Sequence, residues 1–484
     1  SNFYKFENSL IPNNLNIFDS KEIKIYILLI QSVRIAALLH DIGHTPFSHV
    51  IENALEYTYK ENEKNSNYSD FIKTMKPYFK NRHLHEEIGD NITKKIFEEL
   101  EKEYKNNKEL LCIKNVVLEI FNDKNIFKCL HRIIDGSVDC DRLDYVTRDS
   151  INSGIDSGKI DYKRIINEMK ILKHKTNFYI FCFQKKSINS IEDFLKRRLE
   201  LYKNIIYHHR VIKTDLILKN VIIELINDYF NNKKSQNNTD ILSISKLWGP
   251  LKNTSSINEI SQWNDSYVIT MLRNYLLLIN KDNNIYLKLF EIFMGNKYSF
   301  SLIKRREHFE ILDNSLKLTL NNSKTLKKYN NKSHSNKDDE FLSLFKDLCN
   351  YNKEGFILNF ILNKIASYPE EKDIFILNIK NEIVNIINNN NGCNTIVDFK
   401  ILKTGIEENT IFFYDNESKY NDMDSNIYNI LEIESNYFPI LYVYIFFKDT
   451  KNKKLFEKNR LCILKRIGSA IGKIIINDYK NYFN

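Results

Sequence analysis

The stretch ALLHDIGHTPFSHVIE, from Ala37 to Glu52, gathers three histidines and an aspartate within ten residues of a 484-residue chain that has only 11 histidines. Imidazole nitrogens and carboxylate oxygens are the atoms that hold divalent metal ions in proteins. A His-Asp pair alone is weak evidence, because most such pairs have structural roles. Here His44 and His49 follow His40 and Asp41 at short spacing, so several imidazoles can converge on one pocket. The stretch therefore predicts a functional site.

A helix is predicted directly before this stretch. The segment SKEIKIYILLIQSVRIAALLHD begins at Ser20, a candidate N-cap residue, and its apolar residues recur at spacings of four and three. The recurring residues are Ile25, Leu29, Val33, Ala36 and Leu39. Such a buried helix would deliver His40 and Asp41 at its C-terminal end. Gly43 would permit the following turn, and Pro46 would rigidify the start of the next helix.

Composition sets the class of protein and its surroundings. The length suits two or three domains, and 43% hydrophobic with 27% charged residues is typical of a water-soluble globular protein. The formal charge of +9 is spread along the chain, which indicates a lysine-rich surface and permits a phosphate-bearing partner. Seven cysteines without a CxxC pair suggest neither a disulfide framework nor a zinc knuckle, so a reducing compartment is expected.

Location follows from the same features. The sequence has no apolar run that is long enough to span a membrane and no signal peptide. We therefore expect a cytoplasmic protein without a membrane partner, although the nucleus is also compatible with these features. An additional upstream segment is expected, because the sequence begins with Ser1 and not with methionine.

The periodicity predicts a mainly α fold with a helical core and a smaller C-terminal α+β region. Residues 1–230 are expected to form the helical core, and residues 231–320 a helical extension of it. The polar run at 321–340 predicts a loop or insertion. Residues 341–484 are expected to form an α+β region, because the segments TIVDFKIL, TIFFYD and PILYVYIFF are typical of strands.

HDIGHTPFSH resembles the signature of HD-domain phosphohydrolases, in the branch that contains deoxynucleoside triphosphate (dNTP) triphosphohydrolases. Further segments that resemble this branch follow in the same order. They are HEEIGD from His85, VDCDRLDYVTRDS from Val138, KIDYKRII from Lys159 and SIEDFLKRRLELYKNIIYHHRV from Ser190. The resemblance implies an HD-domain helical core, a divalent metal and a nucleotide substrate.

The resemblance also implies a metal-ligand set. His40, Asp41 and Asp141 match three of the four family ligands. The fourth family ligand is a histidine, but this chain has Asn8 in the segment KFENSLI. An amide oxygen is a neutral ligand that suits hard ions, so metal affinity should fall. Either the site holds Mg²⁺ or Mn²⁺ loosely, or catalysis is impaired and the chain binds nucleotides. Fe²⁺ is a further candidate ion, and Zn²⁺ is another.

Catalytic and substrate roles are implied in the same way. His85 resembles a proton donor to the departing ester oxygen, while His44 and His49 would contact phosphates and tune His85. Glu86 and Glu52 are candidates for orienting these imidazoles. The implied substrate contacts are Lys5 at the α-phosphate, Tyr145 and Asp149 at the deoxyribose, and Arg198, Tyr202 and His208 on a helix that binds the triphosphate.

Three functions remain open at this point. The first is metal-dependent hydrolysis of dNTP to deoxynucleoside and triphosphate. The second is nucleotide binding by an impaired regulator, and the third is an HD phosphohydrolase that acts on another nucleotide, a phosphomonoester or single-stranded nucleic acid. The resemblance further implies a homo-oligomer, dimer or tetramer. Arg306 resembles a family position that contacts an allosteric nucleotide.

Overall fold

The computed structural model describes most of the chain. The described residues are 20–79, 82–105, 107–122, 127–155, 160–173, 179–231, 243–253, 257–295, 297–322, 355–364, 369–388, 394–400, 411–416, 419–422, 438–448 and 450–482. Lys5, Asn8 and almost all of the predicted loop at 321–340 lie outside these ranges. Within them, no helix combines the length and the apolar character that crossing a membrane requires.

Helices dominate the described residues, as the sequence predicted. The helices are α1 (Ser20–Leu39), α2 (His49–Asn62), α3 (Ser69–Met75), α4 (Leu84–Glu103), α5 (Lys108–Phe121), α6 (Lys128–Ile134), α7 (Cys140–Ser153), α8 (Tyr162–Asn167), α9 (Ile188–Leu201), α10 (His209–Asn231), α11 (Ile257–Ser261), α12 (Asp265–Leu278), α13 (Asn284–Met294), α14 (Arg306–Asn321), α15 (Ile357–Lys364), α16 (Pro369–Asn388) and α17 (Thr450–Tyr482).

Seven short strands complete the described fold. They are β1 (Met169–Lys173), β2 (Tyr179–Gln184), β3 (Ser299–Ser301), β4 (Asn394–Phe399), β5 (Phe412–Asn416), β6 (Lys419–Asp422) and β7 (Leu441–Phe446). One sheet has the strand order β1-β2-β5-β6 and the other has the order β3-β7-β4. The mainly α fold with a smaller α+β part is therefore confirmed.

The chain forms two compact units that alternate along the sequence. The first comprises residues 1–205, 219–277 and 404–427, and the second comprises 206–218, 278–403 and 428–484. The four segments predicted from the sequence stay a prediction. Their boundaries were drawn from changes in composition and periodicity, whereas the two units are defined by which residues pack together. Each unit carries one of the two sheets.

The first unit positions the candidate site through the packing of α1. Ala36 and Leu39 from α1 are buried against Val117 and Ile120 from α5. Burying a leucine, valine or isoleucine side chain contributes roughly 1.5–3 kcal/mol. The contact fixes the C-terminal end of α1, where the sequence passes into His40 and Asp41.

The second unit contains a core built around β7. All six residues of this strand are buried, and it pairs antiparallel with both neighbours, for example Ile445 with Phe300 and with Thr395. A strand buried on both faces reads as a continuous apolar run, as LYVYIF does. Leu464 and Ile467 from α17 and Leu312 from α14 belong to the same core.

Candidate functional site

Three of the predicted metal ligands come together at the end of α1. One ligand atom from each of His40, Asp41 and Asp141 lies within 4.8 Å of the others, with Asp141 supplied by the first turn of α7. The Nδ1 atom of His40 lies 2.9 Å from the carbonyl oxygen of Ala37. Donation of the Nδ1 proton to this carbonyl leaves a lone pair on Nε2, which is the usual arrangement for a metal-binding histidine.

The charge distribution of this ligand trio also suits a cation. Nε2 of His40 lies 3.2 Å from Oδ2 of Asp41, so two lone pairs face each other unless a proton or a metal ion lies between them. A hydrogen bond from His44 lowers the pKa of Asp41 despite partial burial, and the charge of His40 adds to that effect. Burial raises the pKa of Asp141. The residues present therefore fit a divalent metal ion.

A second group, which we call the imidazole cluster, consists of His44, His49, Glu52 and His85. Ligand atoms of all four lie within 4.8 Å of one another. The buried carboxylate of Glu52 lies 2.8 Å from Nδ1 of His49 and 3.0 Å from Nδ1 of His85. Because a carboxylate accepts hydrogen bonds, both rings donate from Nδ1, and the Nε2 atom of each is left for other partners.

His44 links the imidazole cluster to the ligand trio. Its ring stacks on that of His85 with centroids 4.3 Å apart, and its Nε2 lies 3.4 Å from Oδ1 of Asp41. The ring of His49 meets both of the other rings edge-on, at 5.0 and 5.2 Å. The candidate site is therefore one continuous set of polar side chains.

The pKa values of Glu52 and His85 in the imidazole cluster are shifted in opposite directions. Burial would raise the pKa of Glu52, but hydrogen bonds from His49 and His85 outweigh it and hold this pKa far below its usual range. Burial would lower the pKa of His85, but the hydrogen bond and charge of Glu52 outweigh it and raise this pKa above its usual value. His85 is thereby suited to carry a proton near neutral pH.

The turn between α1 and α2 brings these side chains together, although by other means than the sequence suggested. A Cβ on Gly43 would overlap the carbonyl oxygen of His85 and come within 2.7 Å of Cα of Gly89, so Gly43 allows close approach of the turn to α4. Left-handed backbone occurs later, at Phe47 (φ 54°) and Ser48 (φ 50°). Such non-glycine residues cost about 1–3 kcal/mol each and cluster at functional sites.

A buried arginine lies on the side of the site formed by α7 and α9. Nε of Arg198 donates to Oη of Tyr145 at 3.1 Å, and the guanidinium lies 4.3 Å from the ring centre of Tyr202. Arg198 is 4% exposed, and its Nη1 has no hydrogen-bond partner among the described residues. Burial raises the pKa of Tyr145, against the charge of Arg198. A buried cation of this kind is suited to binding an anion.

Three other predicted residues make hydrogen bonds or ion pairs outside the ligand trio and the imidazole cluster. Glu86 pairs with Arg82 at 2.9 Å, and in the described part of the chain it has no hydrogen bond to an imidazole. Asp149 faces Arg148 at 3.4 Å on the exposed side of α7. His208 belongs to the second unit, where its Nδ1 accepts from the backbone N–H of Arg210.

Sequence reasoning missed two residues near the site. Arg82 bridges Glu86 and Asp90 and lines a small cleft of about 70 Å³ together with His40, Asp41 and His85. No local pattern marks it, because its guanidinium reaches the carbonyl of Phe121 on a distant helix.

Asp139 was also missed, although the sequence offered a signal. It immediately precedes a helical segment, the usual position of an N-cap aspartate. Its carboxylate accepts from the backbone N–H groups of Gly136 at 2.8 Å and Arg142 at 2.6 Å. Burial raises its pKa to about 7. Asp139 thereby fixes the start of α7, which supplies Asp141.

Comparison with known proteins identifies the region that carries the site. Residues 26–148 match the HD domain family model. This domain is typical of metal-dependent phosphohydrolases, and the matched residues contain the ligand trio and the imidazole cluster.

Two curated relatives and one solved structure illustrate the similarity. The chain is 29% identical over 221 residues to uncharacterized protein MJ1154 of Methanocaldococcus jannaschii, covering 44% of this chain and 38% of that protein. It is 30% identical over 183 residues to the deoxynucleoside triphosphate triphosphohydrolase SAMHD1 homolog of Dictyostelium discoideum, covering 38% and 31%. The chain thus spans less than half the length of these relatives. A phosphohydrolase structure from Bacteroides thetaiotaomicron aligns with a TM-score of 0.47 and 17% identity, over 90% of this chain and 81% of that one.

Proposed function

Because residues 26–148 form an HD domain, we propose that this protein is a metal-dependent phosphohydrolase that hydrolyses dNTP to deoxynucleoside and triphosphate. The observation that carries the proposal is the convergence of His40, Asp41 and Asp141 beside the imidazole cluster. Phosphoryl chemistry requires charge neutralisation and proton transfer at one place. These two groups of side chains offer both.

The ligand trio would hold the metal ion. Mg²⁺, Mn²⁺ and Fe²⁺ all accept a mixture of imidazole and carboxylate ligands, and Zn²⁺ does so as well. When bound, such an ion acts as a Lewis acid on phosphoryl oxygens and lowers the pKa of water. The protein's own contribution is orientation, since Ala37 holds the ring of His40 and His44 holds the carboxylate of Asp41.

His85 is the residue best suited to protonate the leaving oxygen. Its Nδ1 is fixed by Glu52 at 3.0 Å, and the raised pKa favours a proton on the ring. A general acid works best when its pKa lies near the working pH. The stacked ring of His44 would limit the rotation of His85 and keep Nε2 directed towards the substrate.

Recognition of a nucleotide is supported by the buried arginine. Arg198 has an unpaired Nη1 and no carboxylate hydrogen-bonded to it among the described residues, so a phosphate oxygen would supply the missing acceptor. Tyr145 and Asp149 would contact the deoxyribose, and the Dictyostelium relative's name supports the choice of dNTP. A homo-oligomer, an allosteric nucleotide and a cytoplasmic location stay predictions.

Asn8 favours one alternative. If a neutral amide cannot complete the metal site, the chain would bind nucleotides as a regulator with little turnover. Another HD phosphohydrolase activity, on a different nucleotide or on single-stranded nucleic acid, would use the same ligand trio but release a different product.

Product identity tests the proposal. The purified chain is incubated with each dNTP and Mn²⁺, Mg²⁺ or Fe²⁺, and the products are separated by anion-exchange chromatography. Triphosphate and deoxynucleoside in equal amounts are expected. His85→Ala should slow turnover by at least about a hundredfold, within the range for loss of a general acid, and should leave metal content unchanged.

His83→Ala is the matched control, because His83 is two residues away and contacts His85 only by ring stacking, at 5.6 Å. It should retain most of the activity. Pyrophosphate and deoxynucleoside monophosphate as products would indicate another HD activity in place of dNTP triphosphohydrolysis. So would the shortening of a single-stranded oligonucleotide that is supplied in a parallel incubation. Tight dNTP binding without any product would favour the regulator.

A further inference from the structure

The strained turn before α2 is held by a residue far away in the sequence. The backbone N–H of Phe47 donates to Oδ1 of Asp265 at 2.8 Å. The other hydrogen bonds described for residues 45–48 join neighbours in sequence, such as Oγ1 of Thr45 to the carbonyl of Ser48 at 2.7 Å. Asp265, in the first turn of α12, therefore anchors the turn to the rest of the first unit.

This turn sets the direction of two imidazoles. Ser48 follows Phe47 with a left-handed φ, and its hydroxyl lies 3.2 Å from Nδ1 of His44. His49 is the first residue of α2, so its direction depends on the backbone conformation at Ser48. A strained conformation persists only where surrounding contacts hold it. The hydrogen bond that the backbone N–H of Phe47 donates to the carboxylate of Asp265 is such a contact, and it is charge-assisted.

We infer that Asp265 is a positioning residue for catalysis: its carboxylate holds the Phe47–Ser48 turn in the conformation that aims His44 and His49 into the site. Asp265 acts through the backbone and has no described contact with the ligand trio or the imidazole cluster. The expected effect on turnover rests on the proposed hydrolysis. The role of Asp265 in holding the turn does not depend on that activity.

A purely structural role of Asp265 in α12 has to be separated from positioning. An aspartate at a helix start also stabilises the helix through its charge. Asn264 offers a matched control, because its Oδ1 accepts from the backbone N–H of Tyr267 and caps the same helix without reaching Phe47. Asp265→Asn offers a conservative variant, because its amide oxygen can still accept from Phe47.

The test compares Asp265→Ala, Asp265→Asn and Asn264→Ala in the full chain. Amide hydrogen exchange of Phe47 and long-range ¹H–¹⁵N spectra of the imidazoles report the turn directly, and Mn²⁺ content and dNTP hydrolysis report the site. Asp265→Ala should accelerate the exchange of Phe47 and shift the signals of His44 and His49. It should lower kcat about tenfold to a hundredfold, the cost of a small misplacement of reacting groups, with KM and Mn²⁺ content nearly unchanged.

Asp265→Asn should restore slow exchange and most of kcat, and Asn264→Ala should leave both near those of the unmodified protein. Unchanged exchange of Phe47 in Asp265→Ala would overturn the inference, as would an equal loss of kcat in Asn264→Ala. If the unmodified protein hydrolyses no dNTP, the proposed function fails. The exchange and imidazole signals would then still decide whether Asp265 holds the turn.

Discussion

One buried carboxylate, that of Glu52, orients two imidazoles in this site. Glu52 is 4% exposed, accepts from the backbone N–H of His85 at 3.2 Å and binds both His85 and His49 through Nδ1. The sequence pattern identified these histidines, because they are dense and rare. It could not show which partner each ring would choose, since that depends on how α2 and α4 pack.

The ligand trio predicts a sharp difference between two aspartates on α7. Asp141→Ala should lower Mn²⁺ affinity by more than about a hundredfold, beyond what the loss of an outer partner costs, because a direct ligand disappears. Asp144→Ala is the control, since Asp144 is exposed and pairs with Arg148. Isothermal titration with Mn²⁺ measures both variants. Equal affinity in the Asp141→Ala protein would exclude Asp141 from the coordination sphere.

The Glu52–His85 pair predicts how stability depends on pH. The lowered pKa of Glu52 means that its stabilisation is present above pH 4.5 and is lost as the pH falls through the folded-state pKa. The raised pKa of His85 means that its stabilisation is complete below pH 6.5 and is lost as the pH rises through the folded-state pKa. A hydrogen bond from His49 also lowers the pKa of Glu52. The charges of Glu86 and Asp41 also raise the pKa of His85.

Glu52→Gln should therefore destabilise most between about pH 4.5 and 6.5, by about 1.5–3 kcal/mol as for a hydrogen bond to a charged group. The difference should shrink as the pH rises through the folded-state pKa of His85, because the ring then loses its charge. Urea unfolding at several pH values measures it. A difference that grows with rising pH would contradict the proposed ionisation of the pair.

At the scale of elements, the close approach of the α1–α2 turn to α4 predicts contrasting effects of two glycines. Gly43→Ala should destabilise by about 1–3 kcal/mol, as overpacking does, and should displace His85, because the new Cβ would overlap the backbone of α4. Gly89→Ala, on the facing helix, meets its nearest atom at 3.6 Å and should be neutral or stabilising. Thermal unfolding of both variants checks this. Equal Tm values would mean that the turn can move away from α4.

Long periodic elements were predictable from the sequence, and short or strained ones were not. The helix predicted from Ser20 is α1. The hairpin of β1 and β2 was missed. Its strands have only five and six residues and lie among helices, so they are too short to show a clear strand periodicity. The left-handed residues Phe47 and Ser48 were missed, because holding them involves a tertiary contact, that of Asp265, which no local pattern specifies.

At the scale of the whole chain, the two units alternate in sequence because strands that are far apart pair with each other. β5 joins the first unit by pairing parallel with β2, for example Phe412 with Cys182. Local patterns cannot predict such partners. The strands near the C-terminus were predicted individually, but their division between two sheets was not.

The separation into units predicts that damage to one core spares the metal site of the other. Leu464 is fully buried in the core of the second unit, so Leu464→Ala should cost about 2–5 kcal/mol. The control Leu461→Ala, at 51% exposure on the same helix, should change stability by less than about 0.5 kcal/mol. Calorimetry gives stability, and metal analysis of the folded protein should show equal Mn²⁺ content in both. Loss of the ion in Leu464→Ala alone would contradict independent cores.

The ligand trio draws its members from positions 40 and 41 and, one hundred residues later, from position 141. During translation, a nascent chain that has displayed HDIGH still lacks the aspartate that completes the set. Ribosome-bound intermediates should therefore bind a divalent metal ion only after α7 has left the exit tunnel, and metal binding would then report how far synthesis has progressed.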